Sequence, residues 1–208
     1  EMGPVATGLG EIYMWAVENA PNASSPRSTT DLRTIQDWVV RPQFRTVRGV
    51  NEVNSIGGFE KILQVAPDPS KLLANGLSFR DLFNAVAANN ENAGGGYIAH
   101  QDEQYTIRSV GRVQSVTDVG NIVITAREGV PIFVKNVADV FEGRNMRTGA
   151  ATLDGREVVI GTAIMLIGEN SRVVSRRAAD KVREIARSLP DGVSIRTLYD
   201  RTYLVDAT

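Results

Sequence analysis

The sequence predicts an α+β protein: a split βαβ-βαβ pair of the ferredoxin-like kind, with a second α+β lobe inserted between its halves. Three observations carry this. A capped helix and a short strand run from Asp31 to Gly58, a second helix and strand run from Ser171 to Tyr199, and the stretch between them has helix and hairpin signals of its own. Two strand-helix-strand units of this kind close into one antiparallel sheet with both helices on one face. The expected divisions are 1–57, 58–155 and 156–208, the first and last forming one domain.

Taken in order, Glu11 to Val17 alternates two apolar faces, Ile12, Met14 and Ala16 on one and Tyr13, Trp15 and Val17 on the other. This is a strand covered on both sides, with Glu11 at its entrance on the Tyr13 side. The loop NAPNASSPRST is rich in turn residues, and its Asn22-Ala23-Ser24 sequon is too short a pattern to carry weight. Thr29 or Thr30 caps the next helix, and Leu32, Ile35, Trp38 and Val39 form its apolar stripe. Arg48-Gly49 turns the chain into a strand over Val50 to Ser55, which Gly57-Gly58 ends.

In the insertion, Phe59 to Val65 reads as a strand stopped by Pro67-Asp68-Pro69. Ser78 starts a helix whose Phe79, Leu82, Phe83, Val86 and Ala87 share one side. Gly94-Gly95-Gly96 leads into a hairpin, Tyr97 to His100 and Gln104 to Arg112, with Gln101-Asp102-Glu103 at its tip. A helical turn (Ser115 to Gly120), strands over Asn121 to Ala126 and Pro131 to Val134, and a strand and loop over Asp139 to Gly149 follow. Asp154-Gly155 then turns into the strongest strand, Val158 to Ile167. Ser171 opens a helix with Val174, Ala178, Val182, Ile185 and Leu189 on one side, Pro190-Asp191-Gly192 closes it, and Val193 to Tyr199 is the last strand.

Composition narrows the chemistry. The 208 residues are 42% hydrophobic, enough for a packed core. With Lys+Arg 23 against Asp+Glu 24, no overall field favours nucleic acid or an anionic membrane. The chain has no cysteine and one histidine, His100, which removes thiolate sites, multi-histidine zinc sites and most catalytic triads. No apolar run is long enough to span a bilayer. The chain opens on EMGPVATGLGE and stops at YLVDAT, and so reads as a segment of a longer polypeptide.

Few motifs survive inspection. Gly8-Leu9-Gly10 precedes a strand where a dinucleotide fingerprint must follow one, and Gly94-Gly95-Gly96 lacks the Lys and Ser/Thr of a phosphate loop. His100 with Asp102 and Glu103 reads as a solvated hairpin tip rather than a cation site. Nothing supplies a nucleophile-base pair, so no enzyme activity and no resident cofactor are expected. Glu11 is the informative carboxylate: beside Gly10, Tyr13 and Trp15 it either faces a cleft, where it and Glu52 on a neighbouring strand offer hard oxygen ligands to a divalent ion, or sits on a solvated sheet face. Met14 reads as packing.

The blocks GPVATGLGEIY, DLRTIQDWVVRPQFRTVRGVNEVNSIGGFEK, NAGGGYI, GVPIFVKNVADV and LPDGVSIRTLYDRTYLVD, in that order, resemble the first periplasmic loop of heavy-metal efflux transporters of the resistance-nodulation-division superfamily, the CzcA-like and CusA-like pumps of Gram-negative inner membranes. The resemblance implies part of a proton-driven antiporter that works as a homotrimer with a periplasmic adaptor and an outer-membrane channel. It makes 1–57 and 156–208 the porter subdomain PN2 and 58–155 the docking subdomain DN. It implies a transported divalent metal ion such as Zn²⁺, with Glu11 and Glu52 as transient ligands. Two other readings stay open: a multidrug pump of the same superfamily, with Tyr13 and Trp15 lining its cleft, and a soluble ferredoxin-like small-molecule-binding module.

Overall fold

The computed structural model describes residues 10–90, 93–100, 103–109, 112–147 and 149–206, with backbone alone for 93–100 and 103–109. Gly8, Leu9, Gln101, Asp102 and the side chains of His100 and Glu103 lie outside the described residues. The element order is β1 (Glu11–Asn19), α1 (Thr29–Ile35), a π-helical turn (Gln36–Val40), α2 (Arg41–Phe44), β2 (Val50–Ile56), β3 (Lys61–Pro67), α3 (Pro69–Ala74), α4 (Phe79–Ala88), β4 (Ala93–His100), β5 (Glu103–Ser109), α5 (Val116–Gly120), β6 (Val123–Arg127), β7 (Val130–Phe133), α6 (Val134–Val137), β8 (Ala138–Arg144), β9 (Ala151–Leu153), β10 (Arg156–Met165), α7 (Ser171–Ala186), β11 (Val193–Asp200) and α8 (Thr202–Asp206).

These fall into two compact units, one drawn from Glu1–Lys61 with Arg144–Thr208 and the other from Ile62–Gly143. The sequence places the second crossing at 155/156, but the structure places it twelve residues earlier. The reason is β9, which pairs antiparallel with β10 from Ala151↔Val158 to Leu153↔Arg156 and so ties this segment to the larger sheet.

The first unit is an antiparallel sheet in the order β11-β1-β10-β2. Strand β10 from the second half is thus inserted between β1 and β2 of the first. One face is covered by both helical segments. Trp15, Val17, Val53, Val159 and Ala163 pack against Leu32, Ile35, Val40 and Phe44 from the first and Val174, Ala178, Val182 and Ile185 from α7. Gly57 and Gly58 leave β2 with φ of 84° and 65°, a region that favours glycine.

The first helix departs from its predicted stripe. Ser28, not a threonine, is the N-cap, closing a capping box with Asp31. Pro42 has no N–H for the carbonyl four residues back, and Arg41 N–H reaches Gln36 O instead, five residues back. The extra residue in this turn breaks the period of 3.6: Trp38, expected inside, is 78% exposed, while Gln36 is fully buried.

The second unit has its own core of Leu72, Leu82, Val119, Ile122, Val134, Val137 and Ala138. Ser78 and Ser115 cap α4 and α5 through capping boxes with Asp81 and Asp118. Strands β3 and β8, β4 and β5, and β6 and β7 pair two by two. On α4 only Leu82 is buried; Phe79 and Phe83, predicted on the apolar side, are exposed.

Candidate functional site

Counting residues alternately along β1 puts Glu11 on the face of Tyr13 and Trp15. The structure moves it to the other one. Register shifts between Glu11 and Tyr13, where Glu11 pairs with Ile164 and Tyr13 with Ala163. The β-bulge at Ile12 lets Ile12 and Tyr13 both enter the core and turns Glu11 out to solvent.

Across the sheet, Ile164 also pairs with Glu52 on β2. Glu11, Ile164 and Glu52 therefore form one row on the face turned away from the helices, the carboxylates flanking Ile164 from either side. With strands ~4.8 Å apart their Cα atoms are about 10 Å apart, a gap that two glutamate side chains and the ~2 Å bonds of a divalent ion can span. Glu52 lies on the same sheet as Glu11, as expected, but two strands away rather than one. Both carboxylates are exposed.

The next row inward is Met14, Thr162 and Asn54. Thr162 is buried, and Met14 and Asn54 are half-buried. The far end of the same face is closed by β9: Ala151 packs with Ala16 and Val158, and Leu153, Ile160 and Leu198 pack around them. At the Glu11–Glu52 end both carboxylates are exposed among the described residues. Beside it, a cavity of about 290 Å³ is lined by Gly10, Met165 and Glu169 among others. Glu169 is a carboxylate that sequence reasoning passed over; its signal was the acid directly before Asn170, the N-cap of α7.

Tyr13 and Trp15 belong to the opposite, helix-covered face and are buried there. Tyr13 Oη pairs with Thr197 Oγ1 at 2.8 Å, and burial pushes its phenol above the ordinary value of 10.0, outweighing that hydrogen bond, which acts the other way. Neither ring lines the open row. Among the described residues no group of three or more His, Cys, Asp or Glu side chains could hold a metal ion. The row offers two hard oxygen ligands and an apolar floor, and a tighter site needs donors from elsewhere.

The model of the AcrB/AcrD/AcrF family matches residues 1–208. The cobalt-zinc-cadmium resistance protein CzcA of Cupriavidus metallidurans is 52% identical over 209 residues, covering 99% of this chain and 20% of that protein. The cation efflux system protein CusA of Escherichia coli K12 is 40% identical, covering 99% and 20%. An X-ray crystal structure of a heavy metal efflux pump superposes with a TM-score of 0.78 at 29% identity, covering 99% of this chain and 20% of that one. The chain thus spans about a fifth of the length of the relatives it matches.

Proposed function

This chain belongs to the AcrB/AcrD/AcrF family, and on that premise we propose that it is a periplasmic segment of a heavy-metal efflux pump that exports divalent cations such as Zn²⁺, Co²⁺, Ni²⁺ or Cd²⁺. The relatives named for cobalt, zinc, cadmium and nickel resistance support the substrate class. The observation that carries the reading is the open row in which Glu11 and Glu52 flank Ile164. Carboxylate oxygens suit these ions better than Cu⁺, which prefers thioethers and thiolates.

In this reading the unit of Glu1–Lys61 with Arg144–Thr208 is the porter subdomain PN2 and Ile62–Gly143 is the docking subdomain DN. The whole pump is a homotrimeric antiporter in the inner membrane, joined to an adaptor and an outer-membrane channel. No helix among the described residues is long and apolar enough to cross a membrane. The sheet rocks as a rigid body between access and release states. Glu11 and Glu52 hold the cation while their row faces the cleft and release it when closure separates them from the remaining ligands. The role is transport and not catalysis. Burial of Tyr13 and Trp15 on the other face counts against an aromatic-lined drug cleft.

The test is metal resistance in cells that carry the complete transporter. Glu11→Gln with Glu52→Gln is expected to lower tolerance to Zn²⁺, Co²⁺ or Cd²⁺ while protein level and dye tolerance stay constant. Unchanged metal tolerance, or loss confined to dyes, would sink the reading.

A further inference from the structure

The π-helical turn that swings Trp38 outward builds a second feature, on the helical side of the same unit. A cleft of about 530 Å³ runs beside α1 and α2, with Trp38 and Pro42 as its apolar surface. Four cationic side chains (Arg33, Arg41, Arg45 and Lys61) and two carboxylates (Asp37 and Glu60) line it, leaving a net charge of +2. Asp37 is already committed: Arg33 Nε donates to its Oδ2 at 2.5 Å and Ser55 Oγ to its Oδ1 at 2.7 Å. Glu60 accepts from Asn145 Nδ2 at 3.0 Å. Arg41 Nε is enclosed and has no hydrogen-bond partner among the described residues. Trp and Arg are among the side chains most enriched at binding hot spots, and here an exposed indole and the guanidinium groups of Arg41 and Arg45 line one cleft.

We propose that this cleft is a docking surface for a carboxylate-bearing segment of another polypeptide. An Asp or Glu of that segment accepts from Arg41 and Arg45, and an adjoining apolar side chain lies against Trp38 and Pro42. Charge complementarity selects this occupant. A cation is repelled by the net charge of +2, and a bare anion leaves the Trp38 face uncovered. Arg supports such contacts through its planar fork of donors. Burying Trp38 would also cover a large indole that now faces solvent.

The test is an NMR titration of this chain, following the Trp38 indole N–H, with the acetylated and amidated peptide Glu-Leu-Glu-Glu-Leu-Glu as probe. The expected result is a saturable shift of Trp38 with the buried Trp15 signal still. Binding should weaken about tenfold in Arg41→Gln/Arg45→Gln and in Trp38→Ala, the order of loss for truncating one hot-spot anchor. Circular dichroism is the check that each variant is folded. Equal binding of the Lys-for-Glu version of the peptide, equal binding by the variants, or no shift at all would overturn the proposal. So would a Trp38 response to phosphatidylglycerol vesicles without one to the peptide, or an equal response to free glutarate.

Discussion

Gly161 lies directly beneath the ring of Trp15, its partner across β1 and β10: a Cβ on Gly161 would come within 2.2 Å of Trp15 Cε2. The ring cannot retreat. It stacks on Phe44 at 3.8 Å between centroids with planes 6° apart, and its Nε1–H donates to Gln36 Oε1 at 2.9 Å. One glycine thus sets how closely helix α2 approaches the centre of the sheet.

Gly161→Ala should therefore destabilise the chain by about 3 kcal/mol, the upper part of the range for overpacking a core that has no give. Urea unfolding followed by tryptophan emission reads this directly. An unfolding midpoint equal to that of the unsubstituted chain would mean that Trp15 is free to move.

Gln36 is the polar centre of the same core. It accepts from Trp15, and its Nε2 donates to Ser55 Oγ at 3.2 Å, which donates in turn to Asp37. Gln36→Leu keeps the volume but strands the indole N–H, an expected cost of about 1–3 kcal/mol. Adding Trp15→Phe should recover part of the loss, since the stranded donor goes with it. A double variant showing only the sum of the two single losses would show that the bond has little weight.

The helix that contains Gln36 also shows where sequence reasoning stops. Strand alternation and helix spacing place the sheet, both covering helices and the insertion, because those patterns follow from local geometry. Trp38 and Gln36 exchange their expected places because a single widened turn shifts phase, and hydrophobicity alone favours Trp over Gln for the inside. Pro42 is the sequence's only hint of that turn. Glu11 changes face for a similar reason: the bulge at Ile12 adds one residue to a period of two. Glu11 and Glu52 were legible as acids at strand positions. That both sit opposite Ile164 depends on a long-range register that neither strand encodes alone.

Tyr13 gives a pH prediction. Its phenol is pushed above 10.0 chiefly by burial, so the folded chain keeps this proton at pH values where the unfolded chain loses it. Its contribution is intact below pH 10 and falls as pH rises through and beyond 10. Stability measured by urea from pH 8 to pH 11 should drop more steeply for this chain than for Tyr13→Phe. Parallel curves would show that Tyr13 ionises as readily in the fold as outside it.

The carboxylate row makes the most direct prediction. Zn²⁺ takes four ligands in a closed site, and the row supplies two exposed carboxylates with no third metal-binding side chain grouped with them among the described residues. Calorimetry on this chain should show a dissociation constant of about 10⁻⁴ M or weaker, as for open sites of few oxygen ligands. If one ion bridges the two side chains over Ile164, Glu11→Ala or Glu52→Ala alone removes nearly all the heat, and the double variant adds little. Two separate half-sites would instead lose heat in equal, additive steps. Submicromolar binding that survives both single substitutions would place the metal elsewhere on the chain and leave the row as ordinary solvated sheet surface.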